Sequence, residues 1–497
     1  VSKLCTSVDV ARAAARPQAG VARDQARVAR AALLVLGLLT VAASAPAWAQ
    51  SAQMNLSTVT RERGLHSGEF VLHPSLQVMG HYDTNLFNGN DVVAGNPPVG
   101  ATSVRLMPRL MLQNDLTGNT TFRFSSGADA RLYLAGDNDW TSKAISKQGG
   151  VGANVGLDFT YGNNRPIAFT VFDHFTRQLR SSLFETTTTL HRNNNDVGAR
   201  IDFHPGDNPL RRPFNVSLMG AYATDRFDDF QAGNANTLRT RLTASWRFLP
   251  KTAATLDTSW DFRSLTNDLL LQQRLSYNSQ PFRAKLGLAG ALTKRVTFEV
   301  AGGWGLSQHE KEMEKKGAEC RSLSAEGVPV ATPGECEFNS FIASAALGFK
   351  PAESTRITLG YGRDFRDSFI GNYSEFHRGY LTLQQRFGAV MDVRGEFGFG
   401  RTRYGAWYPQ NAKGELNPNI TAGVGGGDTN HRTELPMDAS LIANFEMARL
   451  VGLEVGYRLR KVITDYRVQT IVADRDVVLS AGAYTANELF ASLTLRY

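Results

Sequence analysis

The sequence is short of the features that mark most enzymes and most helical membrane proteins. Its 497 residues include only 3 cysteines, too few for a disulfide scaffold or a cysteine-rich zinc site. Past residue 49 no stretch keeps a helical period, and none is apolar for long enough to cross a bilayer as a helix. The usual α/β enzyme architectures and helical membrane bundles are thereby excluded. Catalytic constellations are also scarce. Ser307 and His309 stand two apart, and His66-Ser67 lies near the N-terminus; neither pair has an orienting third group, and both read as polar loop residues. The run Gly423 to Gly427 lacks the strand-to-helix setting of a phosphate loop. Asp225, Asp228 and Asp229 cluster at one loop and read as a solvated acidic surface, with a divalent cation as the alternative. No enzyme activity, cofactor or metal is expected.

One apolar run is present, and it is N-terminal. Arg23, Arg27 and Arg30 precede Ala31 to Ala45, and Ala47-Trp48-Ala49 follows as a small-residue cleavage site. This is the layout of a secretory signal peptide, and residues 1–49 are expected to be removed. Lys3, Arg12, Arg16, Arg23, Arg27 and Arg30 would leave together with Asp9 and Asp24, taking the net charge from +8 to +4. A nucleic-acid partner becomes correspondingly unattractive. Cys5 would leave as well. In an exported protein the remaining Cys320 and Cys336 are most simply a disulfide. Residues 50–69 are polar and aperiodic and read as a periplasmic lead.

From residue 70 onward one theme recurs: eight to fourteen residues of alternating apolar and polar character, then a turn or loop rich in Gly, Asn, Asp or Pro. Eighteen such segments can be placed, give or take about two. Connectors between them alternate, short at 114–119, 162–165, 249–252, 351–353 and 448–449, long at 83–102, 178–195, 307–337, 405–432 and 463–484. Short periplasmic turns and long external loops are the asymmetry of an outer-membrane barrel. The fold expected for residues 70–497 is therefore an all-β, antiparallel transmembrane β-barrel. Leu489 to Tyr497 read as its closing strand, and Leu493, Leu495 and Tyr497 on the apolar face of that strand as an assembly signal for the barrel-insertion machinery. Outer-membrane lipids and lipopolysaccharide would surround the barrel.

In such a barrel the apolar face of each strand meets lipid and the polar face lines the lumen. Leu238, Leu242, Ala244, Trp246 and Phe248 face outward on this reading, leaving Arg239, Arg241 and Arg247 inside. Trp260, Trp304, Tyr361 and Tyr457 join Trp246 and Phe248 in the aromatic girdles. The same register turns Arg105, Arg109, Arg123, Arg131, Arg200, Arg283, Lys285, Arg356, Arg378, Arg386 and Arg394 inward, together with Asp129, Asp158, Asp202, Asp257, Asp261, Glu299, Asp392 and Glu396. The wall would be mildly positive, with many of its charges paired to one another.

In the first strand, Leu72-His73-Pro74-Ser75-Leu76-Gln77-Val78 followed by Tyr82-Asp83-Thr84-Asn85-Leu86-Phe87 resembles the beta-barrel porin family of outer-membrane proteins, some of whose members are associated with capsule or exopolysaccharide export. The resemblance implies an outer-membrane barrel. For some members it implies passage of a polysaccharide chain and periplasmic export components as partners. It brings no catalytic residues. Passive passage of a polysaccharide or similar hydrophilic solute is accordingly the first expectation. A general diffusion porin with mild anion preference is the second, and a closed structural or adhesin-like barrel the third.

Overall fold

Alternation with period two makes each segment amphipathic as an extended strand, and a one-residue slip would exchange every apolar residue for a polar one. Register is therefore strongly specified. The computed structural model describes residues 64–89, 98–114, 118–134, 139–181, 190–205, 213–228, 233–266, 278–309, 321–323, 329–331, 337–368, 373–405, 421–422, 433–464, 468–472, 475–479 and 483–497. The expected signal peptide, Cys320 and Cys336, and residues 423–427 lie outside these.

The first nine staves are β1 (Phe70–Asp83), β2 (Ala101–Asn114), β3 (Thr120–Tyr133), β4 (Gly150–Tyr161), β5 (Ile167–Ser181), β6 (Leu190–Phe203), β7 (Phe214–Phe227), β8 (Ala235–Leu249) and β9 (Thr252–Leu265). The rest are β10 (Ser279–Ala291), β11 (Val296–His309), β12 (Asn339–Ala352), β13 (Thr355–Asp367), β14 (Tyr373–Phe387), β15 (Met391–Tyr404), β16 (Thr433–Ala448), β17 (Val451–Thr464) and β18 (Tyr484–Arg496). Each pairs antiparallel with its sequence neighbours, and β1 pairs with β18 from Ser75↔Arg496 to Asp83↔Glu488. The result is a closed 18-strand antiparallel barrel without a free edge.

Four local features depart from the sequence reading. The lead is not wholly aperiodic: Leu65–Ser67 pairs with the foot of β1 through Leu65↔Leu72 and Ser67↔Phe70, turning at Gly68 with φ +61°. The segment containing Trp140 forms a helix, α1 (Asp139–Ser146), whose Ile145 is buried against Leu86, Ala101 and Tyr133. The expected loop 178–195 is shorter, because β5 continues to Ser181 and β6 begins at Leu190. On the outer face, Asp173 interrupts the apolar pattern, standing exposed between Leu157 and Val197.

Through the middle of the barrel the outer face is otherwise apolar. Leu132, Leu218, Leu286, Leu359, Leu441 and Leu489 are each more than half exposed, as befits side chains that meet lipid rather than water. Closed barrels are the only sheet architecture that satisfies every backbone group inside a bilayer.

The hexapeptide Tyr82 to Phe87 fastens the seam. Asp83 Oδ1 accepts the Asn85 backbone N–H (2.8 Å). The Asn85 side chain donates to the carbonyls of Gly89 (2.8 Å) and Thr485 (3.0 Å) and accepts the Gly89 N–H (2.6 Å). Thr84 exchanges hydrogen bonds with Asn487, giving its N–H to the carbonyl and taking the Asn487 N–H on Oγ1, both at 2.9 Å. Leu86, fully buried, anchors the apolar cluster with Ile145 of α1. Replacing Leu86 by Ala is expected to destabilise the barrel by about 2–5 kcal/mol, read as a lower urea midpoint for unfolding from lipid vesicles.

Candidate functional site

The lumen wall is the candidate site. Pairing alone fixes which residues share it. His73, Gln77 and Met79 of β1 are buried while Val78 and Tyr82 are exposed to the outside, so odd positions of β1 point inward. Through Met79↔Arg105 and Ser75↔Arg109 the inward face passes to β2, and through Arg105↔Arg131 and Gln113↔Arg123 to β3. Followed stave by stave, the register puts Arg239, Arg241 and Arg247 of β8, Arg378 and Arg386 of β14 and Arg394 of β15 on the same face. The register thus sets Arg105, Arg109, Arg123, Arg131, Arg239, Arg241, Arg247, Arg378, Arg386 and Arg394 on the sheet face that carries His73, Gln77 and Met79. Leu493, Leu495 and Tyr497 point outward and are each roughly half exposed. Trp246, Phe248, Trp260, Trp304, Tyr361 and Tyr457 are exposed on the outer face.

Toward the end that carries the long loops, most of these charges are saturated. Asp129 binds Arg105 (2.6 Å) and Arg131 (3.0 Å), and Arg239 reaches Asp196 (2.9 Å). Arg378 holds Asp438 at 2.9 Å and Glu396 at 3.5 Å. Arg460 engages Glu488 and, at 3.7 Å, Asp83 across the seam. Nearer mid-height, Arg241 forks onto Asp257 with two 2.8 Å bonds, and His174 meets Asp158 at 3.1 Å. The acidic cluster is likewise spoken for: Asp225 bonds Arg192 Nε at 2.8 Å, and Asp228 bonds Arg177 at 2.8 Å and Asn193 at 3.0 Å. No group of three or more His, Cys, Asp or Glu side chains is arranged for a metal among the described residues. Asp229 lies outside them.

Near the short-turn end the balance differs. Arg123, Arg356, Arg386 and Arg496, with Arg109 somewhat higher, face the lumen without a carboxylate partner among the described residues. Arg123 and Arg386 are exposed. The acids at that level are Asp158, opposite Arg123 in register, Asp202, bonded to Arg200 at 2.9 Å, Glu299, Glu454 and Asp392, which stands opposite Arg386 and accepts from Gln384 Nε2 at 2.9 Å. With Arg200 included, guanidinium groups outnumber carboxylates there by a narrow margin.

The tip of the β13–β14 hairpin leans into the lumen over the neighbouring staves, a feature absent from the sequence reading. Its connector, between Asp367 and Tyr373, is short although it lies at the long-loop end. From β13, Asp364 receives Arg283 Nε (3.0 Å) and Lys285 Nζ (2.6 Å) of β10, and Arg283 also donates to the Phe365 carbonyl (2.6 Å). Asp367 accepts from Ser279 of β10 and from Ser307 of β11 (3.1 Å), with Arg263 of β9 at 3.8 Å. These partners lie two to four staves away, so the tip leans inward. Phe365 stacks on Phe338 with centroids 4.3 Å apart and packs on Ile342. Gly305 makes room: a Cβ there would stand 2.5 Å from the Phe365 ring. Ser307, considered above with His309, is thus a buried donor to the tip. Asp364, Phe365 and Asp367 escaped notice because a two-residue period ends where charge appears on both faces; the sequence signal was the run Arg363-Asp364-Phe365-Arg366-Asp367 followed by a short connector.

A second apolar patch interrupts the polar wall. Met79, Met107 and Phe490 are buried together with Ile442 against them, and Arg458 lies 5.0 Å from the Phe490 ring. The ring occupies the space above Gly456, where a Cβ would approach it to 2.2 Å, so a bare backbone on one stave seats an aromatic from the next.

No known protein family and no curated protein matches this sequence. Among solved structures the chain is similar to Pseudomonas aeruginosa OpdO, with TM-score 0.45 and 12% identity over 86% of this chain and 97% of that one. It is similar to Acinetobacter baumannii OccAB3, with TM-score 0.44 and 13% identity over 87% of this chain and all (100%) of that one. A third, Pseudomonas aeruginosa OccK2 (OpdF) in complex with glucuronate, gives TM-score 0.44 and 10% identity over 86% and 98% of the two chains.

Proposed function

We propose that the protein is an outer-membrane diffusion channel for small hydrophilic solutes, with a preference for anions. The lead observation is the arrangement of the wall. Its charges are neutralised and its bore narrowed by the β13–β14 tip at the long-loop end, while unpartnered arginines remain at the short-turn end. On the rule that short turns are periplasmic, the narrow end faces the medium and the arginines face the periplasm. A solute would pass the constriction largely by size and then meet a wall whose excess positive potential favours anions.

The earlier preference for polysaccharide passage gives way here. Inward Ser103, Ser279, Ser307, Ala235 and Ala486 are at most 2% exposed, so the wall is covered from within at their level, and a polymer with a broad cross-section has little path. Chemistry on the solute is not part of the proposal. The proposal is tested in planar bilayers across a salt gradient. Stable unitary conductance with a reversal potential of anion-selective sign is expected, unaltered by an acidic oligosaccharide on the short-turn side. Absence of conductance, or block and translocation of the oligosaccharide, would favour a closed barrel or a polymer exporter instead.

A further inference from the structure

The outer wall carries two arginines flanking a histidine where an ordinary lipid-facing wall has no basic residue. Arg363 of β13 pairs with His377 of β14, and His377 with Arg401 of β15, so the register sets three basic residues side by side across three staves on the outward face, with Arg363 reaching back between staves to donate from Nη2 to Ser340 Oγ (2.9 Å). Among the described residues, Glu375 is the carboxylate that meets this row. Its Oε1 accepts Arg363 Nε at 2.7 Å and lies 3.1 Å from His377 Nε2. Tyr361 Oη lies 2.8 Å from His377 Nδ1, which sets the ring. The Arg363 guanidinium is packed 3.8 Å over the Phe341 ring, and its side chain is only 12% exposed. Arg401 is exposed and has no partner among the described residues. Arg403 occupies the next row, opposite Glu375.

Directly toward the barrel middle the face becomes apolar. Tyr361 and Phe399 are both 44% exposed in the adjoining row, with Leu359, Leu381 and Phe397 beyond them. The row therefore lies at the edge of the apolar band on the long-loop side, where one ligand would meet guanidinium groups and hydrocarbon-facing aromatics together.

We propose that this strip of β13–β15 is a binding site for the phosphorylated head of lipopolysaccharide in the outer leaflet. A phosphate seated between Arg401 and His377 accepts charge-assisted hydrogen bonds from the exposed guanidinium. Arg363, held between staves by Glu375, Ser340 and Phe341, supplies a fixed positive field behind them. The acyl chains of the same molecule lie along Phe399, Phe397 and Leu381. An ordinary phospholipid presents one phosphate, whereas the phosphorylated glycolipid presents several on a rigid sugar head, which suits a row rather than a single cation.

The test is native mass spectrometry of the full detergent-solubilised barrel titrated with purified lipopolysaccharide, the same lipopolysaccharide after dephosphorylation, phosphatidylglycerol, and inorganic phosphate. Wild-type protein is expected to retain the phosphorylated form. R401Q is expected to weaken that binding about tenfold, the loss of one charge-assisted contact, and dephosphorylation to weaken wild-type binding by a similar factor. Should R401Q fail to fold, as judged by heat-modifiable migration on a gel, the dephosphorylated ligand on wild-type protein decides alone. Equal binding of phosphorylated and dephosphorylated forms, undiminished binding by a folded R401Q, or displacement by equimolar inorganic phosphate or phosphatidylglycerol would each overturn the assignment.

Discussion

Neutralising Asp364 and Asp367 together, as D364N/D367N, is expected to widen the channel, roughly doubling its unitary conductance. The β13–β14 tip has no covalent tie across the lumen. What holds it inward is the set of contacts that these two carboxylates make with Arg283, Lys285, Ser279, Ser307 and Arg263. Each charge-assisted hydrogen bond lost is worth on the order of 1.5–3 kcal/mol before solvent screening. Asp364 and its partners are about one-fifth exposed, so much of that value survives. The stacking of Phe365 on Phe338 remains and would hold part of the tip in place. The variant is therefore expected to flicker between a narrow and a wider level rather than to sit open. Single-channel recording reads this directly. A conductance identical to wild type, in a variant shown to be folded, would mean that the tip does not bound the narrowest passage.

The second large effect concerns ion selectivity. Replacing Arg109, Arg123 and Arg386 by Gln is expected to lower the anion-to-cation permeability ratio about tenfold. The order of magnitude follows from Coulomb energies near 1 kcal/mol per charge at close approach in water. The matching triple replacement of Arg239, Arg241 and Arg247 is expected to change it far less. Arg239 and Arg241 already spend their charge on Asp196 and Asp257, so their removal also frees carboxylates, whereas the first three hold no carboxylate at salt-bridge distance among the described residues, the nearest for Arg123 and Arg386 being Asp158 and Asp392 opposite them in register. Reversal potentials of the two variants in the same salt gradient separate these outcomes. Equal shifts would show that the pairing seen on the wall does not govern the field an ion experiences.

The barrel itself was legible in the sequence because its physics is local. Alternation in Leu238 to Phe248 or Val451 to Leu459 needs no knowledge of the partner strand, and the 18 staves follow from it once the ends are closed. The inward set of arginines was legible for the same reason. Which of them are paired was not, since Arg105 and Asp129 or Arg378 and Asp438 meet only when neighbouring registers are fixed. The inward tip was illegible because its contacts join β13 to β9, β10 and β11, beyond any neighbour rule. Helix α1 was missed because one buried Ile145 in eight residues makes no periodic pattern. The hexapeptide Tyr82 to Phe87 had been recognisable only as a family-like phrase; its hydrogen bonds give it a physical role as the fastening of β1 to β18.

The most direct measurement is liposome swelling with a graded series of sugar acids, from a monosaccharide acid to an acidic oligosaccharide, set against neutral sugars of matching size. Vesicles containing the protein are expected to admit the small acid faster than its neutral counterpart and to exclude the oligomer. Entry of the oligomer at a rate comparable to the small acid, or no entry of either, would contradict a size-limited, anion-preferring channel.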